Sequence, residues 1–160
     1  MLKNLASEMI LRKYTLALAE SCTGGALAAK LVSLPDASKY FLGGIVAYSN
    51  AWKERFLHVS RTTLEESGAV SQEVVIEMVK GLLSETEADF AVAISGVLGP
   101  GGASLEKPVG TVYVAIAKRG ERIDARLVEA PLERLSAIEF IVQFTIEALY
   151  ERIKGGEWTT

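Results

Sequence analysis

The sequence predicts a single three-layer α/β/α domain on a mostly parallel mixed sheet of about five strands with an antiparallel edge. Three observations carry this. Short apolar runs alternate with segments of helical periodicity through the first half of the chain, the order that builds parallel strands with crossover helices. Two strand candidates then follow one another across Lys118-Arg119-Gly120-Glu121, a connection short enough only for antiparallel neighbours. A long amphipathic segment closes the chain and supplies a helix to cover the sheet.

Each element has its own signal. Leu2, Leu5, Ala6, Met9 and Ile10 share a helical face. Tyr14 to Ala19 is a short apolar run with strand character, and Ala26 to about Leu34 favours helix until Pro35-Asp36 stops it. Phe41 to Tyr48 is the second strand candidate, its glycines marking a bulge or a close backbone approach. Ser49 or Asn50 is a natural N-cap that puts Lys53 in a first helical turn. A short helix from Ser60 to Ser67 closes at Gly68. Ser71 caps the clearest helix, with Val74, Val75, Met78, Val79, Leu82 and Leu83 on one side. Asp89 to Ser95 reads as a buried strand that runs into a glycine-rich loop. Gly110 to Ala117 and Arg122 to Glu129 form the hairpin. Leu135, Ile138, Ile141, Val142, Ile146, Leu149 and Ile153 mark the closing helix, ended by Gly155-Gly156. A single domain is expected over 1–156, with a frayed tail at 157–160.

Composition narrows the function. The chain has 160 residues, 49% hydrophobic and 23% charged, which suits one globular core. A net charge of -3 argues against a general nucleic-acid binder. One cysteine excludes an intramolecular disulfide, and one histidine leaves no Cys/His zinc site. No stretch is long and apolar enough to span a bilayer, and the first residues lack the apolar centre of a signal peptide. A cytoplasmic location with no membrane partner is the expectation. Exposed Phe, Leu and Trp leave a homo-oligomer open.

The chemistry concentrates at strand ends, where open α/β sheets bind ligands. Ser21-Cys22-Thr23-Gly24-Gly25 joins a strand to a helix, so hydroxyl and thiol groups stand beside backbone N–H groups able to hold an oxyanion. The same stretch also reads as a cap and a tight turn. Lys53 is disfavoured as an ammonium at the positive end of a helix, and burial against Tyr48 and Trp52 pushes the same way. A neutral lysine can take a proton from a serine; a solvated surface lysine is the other reading. Tyr48 relays a proton or plugs a strand end. The glycines at 96, 99, 101 and 102 allow an anion-binding nest, or simply a tight crossing. They lack the Gly-Lys-Ser/Thr ending of a P-loop, so no ATPase is read. Cys22 suits a small buried residue, since nothing ties the lone His58 to it.

Ala19-Glu20-Ser21-Cys22-Thr23-Gly24-Gly25, Tyr48-Ser49-Asn50-x-x-Lys53, Gly68-Ala69-Val70-Ser71, Ile94-Ser95-Gly96, Gly99-Pro100 and Lys107-Pro108-x-Gly110-Thr111-Val112 together resemble the CinA C-terminal domain family. The resemblance covers roughly residues 5 to 150 in family order. It implies a metal-free, cofactor-free amidohydrolase of pyridine-nucleotide salvage that converts nicotinamide mononucleotide and water to nicotinate mononucleotide and ammonia (NMN deamidase). The family's serine falls on Ser21, its lysine on Lys53 and its tyrosine on Tyr48. Backbone N–H groups of Thr23 and Gly24 are the expected oxyanion donors. The substrate is expected to touch Gly25, Ser49, Asn50, Ser95, Gly96, Gly99, Gly101, Gly102 and Thr111. The N-terminal molybdopterin-related domain of some members is not in this sequence, which implies the stand-alone form. Two positions depart from the pattern: Leu98 replaces a smaller residue before Gly99-Pro100, and Ile138 stands where a second arginine after Arg134 is usual. Ile138 keeps a rival open, a nucleotide-binding member without catalysis. The family's name also raises a partner role in competence or DNA-damage responses.

Overall fold

The structure, a computed structural model, describes residues 1–156; the tail expected at 157–160 lies outside the described residues. The elements run α1 (Leu2–Arg12), β1 (Leu16–Glu20), α2 (Ala26–Val32), a 3-10 turn (Ala37–Lys39), β2 (Phe41–Val46), α3 (Asn50–Leu57), α4 (Arg61–Ser67), α5 (Gln72–Glu85), β3 (Phe90–Gly96), β4 (Thr111–Lys118), β5 (Asp124–Glu129) and α6 (Arg134–Ile153). One five-stranded sheet has the order β2-β1-β3-β4-β5. β1 pairs parallel with β2 and β3, while β4 runs antiparallel to both β3 and β5, so it alone opposes the common direction. That is the predicted α/β sheet with its antiparallel edge.

The central strands sort side chains by size rather than polarity. Leu16, Leu18, Phe90, Val92, Ile94, Val112, Val114 and Ile116 face one way, with α1, α2 and α6. Ala17, Ala19, Ala91, Ala93, Ala115 and Ala117 face the other, beneath the layer of α3, α4 and α5. Side chains alternate across a strand, so large and small residues at every second position give two unlike floors. The alanine floor lets α5 lie close. Gly81 does the same between helices: a Cβ there would fall 1.9 Å from the Leu57 carbonyl oxygen at the end of α3.

Element ends moved for local reasons. β1 starts at Leu16 rather than Tyr14, because Thr15 is tied to Asp89, its N–H and hydroxyl both donating to Oδ2 at 2.8 and 2.9 Å. β2 ends at Val46, which leaves Tyr48 beyond the strand. α6 starts at Arg134, where the Glu133 carboxylate accepts the N–H groups of Leu135 and Ser136. Leu135, expected on the apolar stripe, is 69% exposed in that first turn. No helix is long and apolar enough to cross a membrane among the described residues.

β1 lies where the chain's direction of travel across the sheet reverses. From β1 the chain moves out to β2 through α2, then returns through α3, α4 and α5 to β3 on the other side. The carboxyl ends of β1 and β3 therefore bound the crevice of an open α/β sheet, at its topological switch point.

Candidate active site

Ser21 is the first residue past β1, its N–H donating to the Ile94 carbonyl of β3 at 3.0 Å. Lys53 reaches the same point from α3. Ser49 caps that helix, its Oγ accepting the Trp52 N–H at 3.3 Å, and Lys53 shares the inward face with Leu57. Lys53 Nζ lies 3.0 Å from Ser21 Oγ and donates to the Ala47 carbonyl at 2.8 Å. The lysine is 1% exposed, and this burial pushes its pKa below the ordinary 10.5. Among the described residues it has no carboxylate partner to restore the charge. The residues expected beside it are themselves open, Tyr48 being 62% and Trp52 50% exposed.

The two atoms sit in a cleft of about 230 Å³. Tyr48, Asn50, Ser95, Gly96, Gly99, Gly101 and Gly102 line it as expected, with Cys22, Ala69, Val70, Val97, Leu98 and Arg134. Gly96 is needed for fit, since a Cβ would lie 3.0 Å from Cys22 Sγ and 2.7 Å from a Val112 methyl. Ser95 Oγ donates to the Ala69 carbonyl at 2.7 Å, tying β3 to the segment before α5. Arg134 Nη1 donates to the Gly99 carbonyl at 2.7 Å and Nη2 to the Tyr48 hydroxyl at 3.1 Å, so it joins α6, the glycine loop and Tyr48. The Tyr48 hydroxyl has no hydrogen bond to Ser21 or Lys53. Burial pushes the Cys22 thiol up to about 12, which keeps it protonated at neutral pH and unfit as a nucleophile.

Four expected contacts fall elsewhere, and Thr23 keeps only its backbone N–H for the role expected of it. Thr23 is buried beneath the turn, its hydroxyl donating to Glu20 Oε2 at 2.6 Å. The Gly24 N–H donates to the Ser21 carbonyl at 3.0 Å, and the Gly25 N–H to Glu20 Oε2 at 3.2 Å, so neither amide is open to an oxyanion or phosphate. The N–H groups of Cys22 and Thr23 remain without a carbonyl or carboxylate acceptor among the described residues. Ser49 spends its hydroxyl on the cap of α3. Thr111 turns away, bonding its hydroxyl to the Pro108 carbonyl at 2.7 Å and lining a separate depression beside β5. Ile138 is also absent from the cleft. It lies with Ala26, Ala29 and Val142 in a groove between α2 and α6, larger at about 700 Å³ but without a nucleophile and base in contact.

Sequence reasoning left Arg134, Ala69 and Val70 out of the site. Arg134 carried only a motif hint, because its place over the cleft depends on how α6 docks. Ala69 and Val70 lie in a motif segment but have no chemistry of their own to mark them.

A family model, the CinA C-terminal domain, matches residues 1–153. A CinA-like protein of Leptospira borgpetersenii is 39% identical over 152 residues, 95% of this chain and 36% of its own length. One of Desulfotalea psychrophila is 51% identical over 107 residues, 67% of this chain and 26% of its own. The chain thus spans about a quarter to a third of the curated relatives it matches. Among solved structures, a competence-damaged protein (CinA) superfamily protein from Klebsiella pneumoniae is 36% identical with a TM-score of 0.92, covering 96% of both chains. A competence-damaged protein (CinA) superfamily protein from Escherichia coli is 31% identical, with a TM-score of 0.89 over 95% of this chain and 90% of that one. With a family model spanning nearly the whole described fold, the chain belongs to the CinA C-terminal domain family.

Proposed function

We propose that the chain is an amidohydrolase that deamidates nicotinamide mononucleotide by Ser-Lys acyl transfer. The observation that supports this reading is the 3.0 Å contact between Ser21 Oγ and the buried Lys53 Nζ. Ser21 Oγ attacks the carboxamide carbon while Lys53 takes its proton. The tetrahedral adduct then expels ammonia, protonated from Lys53, and leaves an ester on Ser21. Water, deprotonated by Lys53, cleaves that ester to the carboxylate and restores the hydroxyl.

The oxyanion falls to the Cys22 and Thr23 N–H groups, since the Gly24 amide is engaged; one such donor contributes about 3 kcal/mol. Asn50 and the glycine loop hold the ribose side. Arg134, a cation that lines the cleft, suits the phosphate. Tyr48 orients that arginine rather than relaying a proton. Ile138, the departure that favours a non-catalytic nucleotide binder, lies away from the cleft and so bears little on the chemistry.

Ammonia release from nicotinamide mononucleotide tests the reading. The parent protein is expected to turn over, and Ser21→Ala to lose roughly 10⁴-fold or more with its melting temperature kept. Near-normal release by the variant would falsify the mechanism. Ligand-induced thermal stabilisation of the parent without turnover would replace it with the binding reading.

A further inference from the structure

Glu20 ends β1 and is 2% exposed, among donors only. Its Oε2 accepts from the Thr23 hydroxyl at 2.6 Å, the Leu27 N–H at 3.1 Å and the Gly25 N–H at 3.2 Å; its Oε1 accepts from the Ala28 N–H at 2.8 Å. Among the described residues it forms no ion pair. A buried carboxylate without a cation is costly, and here charge-assisted hydrogen bonds and the positive end of α2 offset that cost. A cap needs far less. Ser, Thr or Asp at the N-cap would satisfy those amides locally, but the N-cap is Gly25 and has no side chain to offer.

The carboxylate instead reaches forward from before the turn. It binds residues 23, 25, 27 and 28, which closes a ring around Ser21 and Cys22 and leaves those two facing the cleft. We infer that Glu20 is a positioning residue: its carboxylate locks this turn, holds Ser21 Oγ within reach of Lys53 Nζ, and denies the α2 amides to any anion of the substrate. The inference rests on the Ser-Lys reading above. It leaves the substrate's anion to Arg134, which lines the cleft, and gives the residue before the nucleophile a reason to be acidic.

The test uses the full chain and a serine-reactive fluorophosphonate, so that Ser21 is read without presuming the substrate. Labelling at Ser21 in the parent, absent in Ser21→Ala, sets the reference. Glu20→Gln keeps the shape but turns an amide donor toward the Ala28 N–H. Its labelling rate is expected to fall by about 10- to 100-fold, with kcat for nicotinamide mononucleotide falling alike and KM within about twofold. Thr23→Ala, which removes one contact of the four, should lie between, and decides the matter should Glu20→Gln not fold. Unchanged labelling and kcat in the folded variant, with only a lower melting temperature, overturns the inference and leaves the Ser-Lys reading standing. A parent inert at Ser21 overturns both.

Discussion

Lys53 is held where an ammonium is least stable, and its stability cost and its chemistry follow from the same burial. The folded pKa lies below the unfolded 10.5, so the unfolded chain binds more protons between those two values. Stability on this account rises with pH across that window. The cost of burying the charge is full below the folded pKa and gone once pH passes 10.5. Lys53→Met should therefore be inactive, while its stability relative to the parent is most favourable at low pH and declines as pH rises toward 10.5. Urea unfolding of both proteins across a pH series measures this; a stability difference constant in pH removes the premise. As pH approaches the folded pKa from below, kcat/KM of the parent should climb as the amine loses its proton, and level off above it. Of the two residues in the proposed dyad, Lys53 was legible because a lysine at a helix start sets charge against dipole, whereas Ser21 reads equally as part of a cap and stands out only with its motif. Glu20 was not legible. Nothing in spacing separates a carboxylate that reaches across a turn from one that points to solvent. Thr111 and Ser49 failed as substrate contacts for a related reason: a hydroxyl near a cleft is taken by the nearest free backbone group, and only coordinates reveal which one.

At the scale of elements, α5 shows how a small residue sets a packing distance. Gly81 admits the Leu57 carbonyl, and no rotamer can relieve a Cβ placed 1.9 Å from a backbone oxygen. Gly81→Ala should cost about 2 kcal/mol or more despite its higher helix propensity, lowering Tm by roughly 4–8 °C. A Tm equal to the parent's in calorimetry would mean that α3 and α5 part at no cost. The type of each element was readable from periodicity, and their ends were not. The apolar period of α6 extends back to Leu135, yet the Glu133 cap fixes the start at Arg134, and Leu135 faces solvent in the first turn. In β1 the Thr15–Asp89 pairing likewise overrides an apolar run that begins earlier.

For the whole molecule, layer order decides what meets what. The alternation of strands and helices predicted the class, but β3 joining β1 on the side away from β2 depends on where the α3–α5 layer packs. That choice brings Gly96 beside Ser21. It also leaves β2 and β5 as outer strands, while β1, β3 and β4 are paired on both sides. Native-state hydrogen exchange should find the slowest amides in β1 and β3, with outward-facing amides of β2 faster by orders of magnitude. Protection of β2 equal to that of β3 would mean its outer edge is covered in solution. The unlike faces of the sheet carry one more consequence. On the proposed mechanism, nucleophile and base belong to different layers, Ser21 to the end of a strand and Lys53 to the helices stacked above the methyl-sized side. The gap between Ser21 Oγ and Lys53 Nζ is thus a matter of stacking height, fixed by alanines that do not line the cleft.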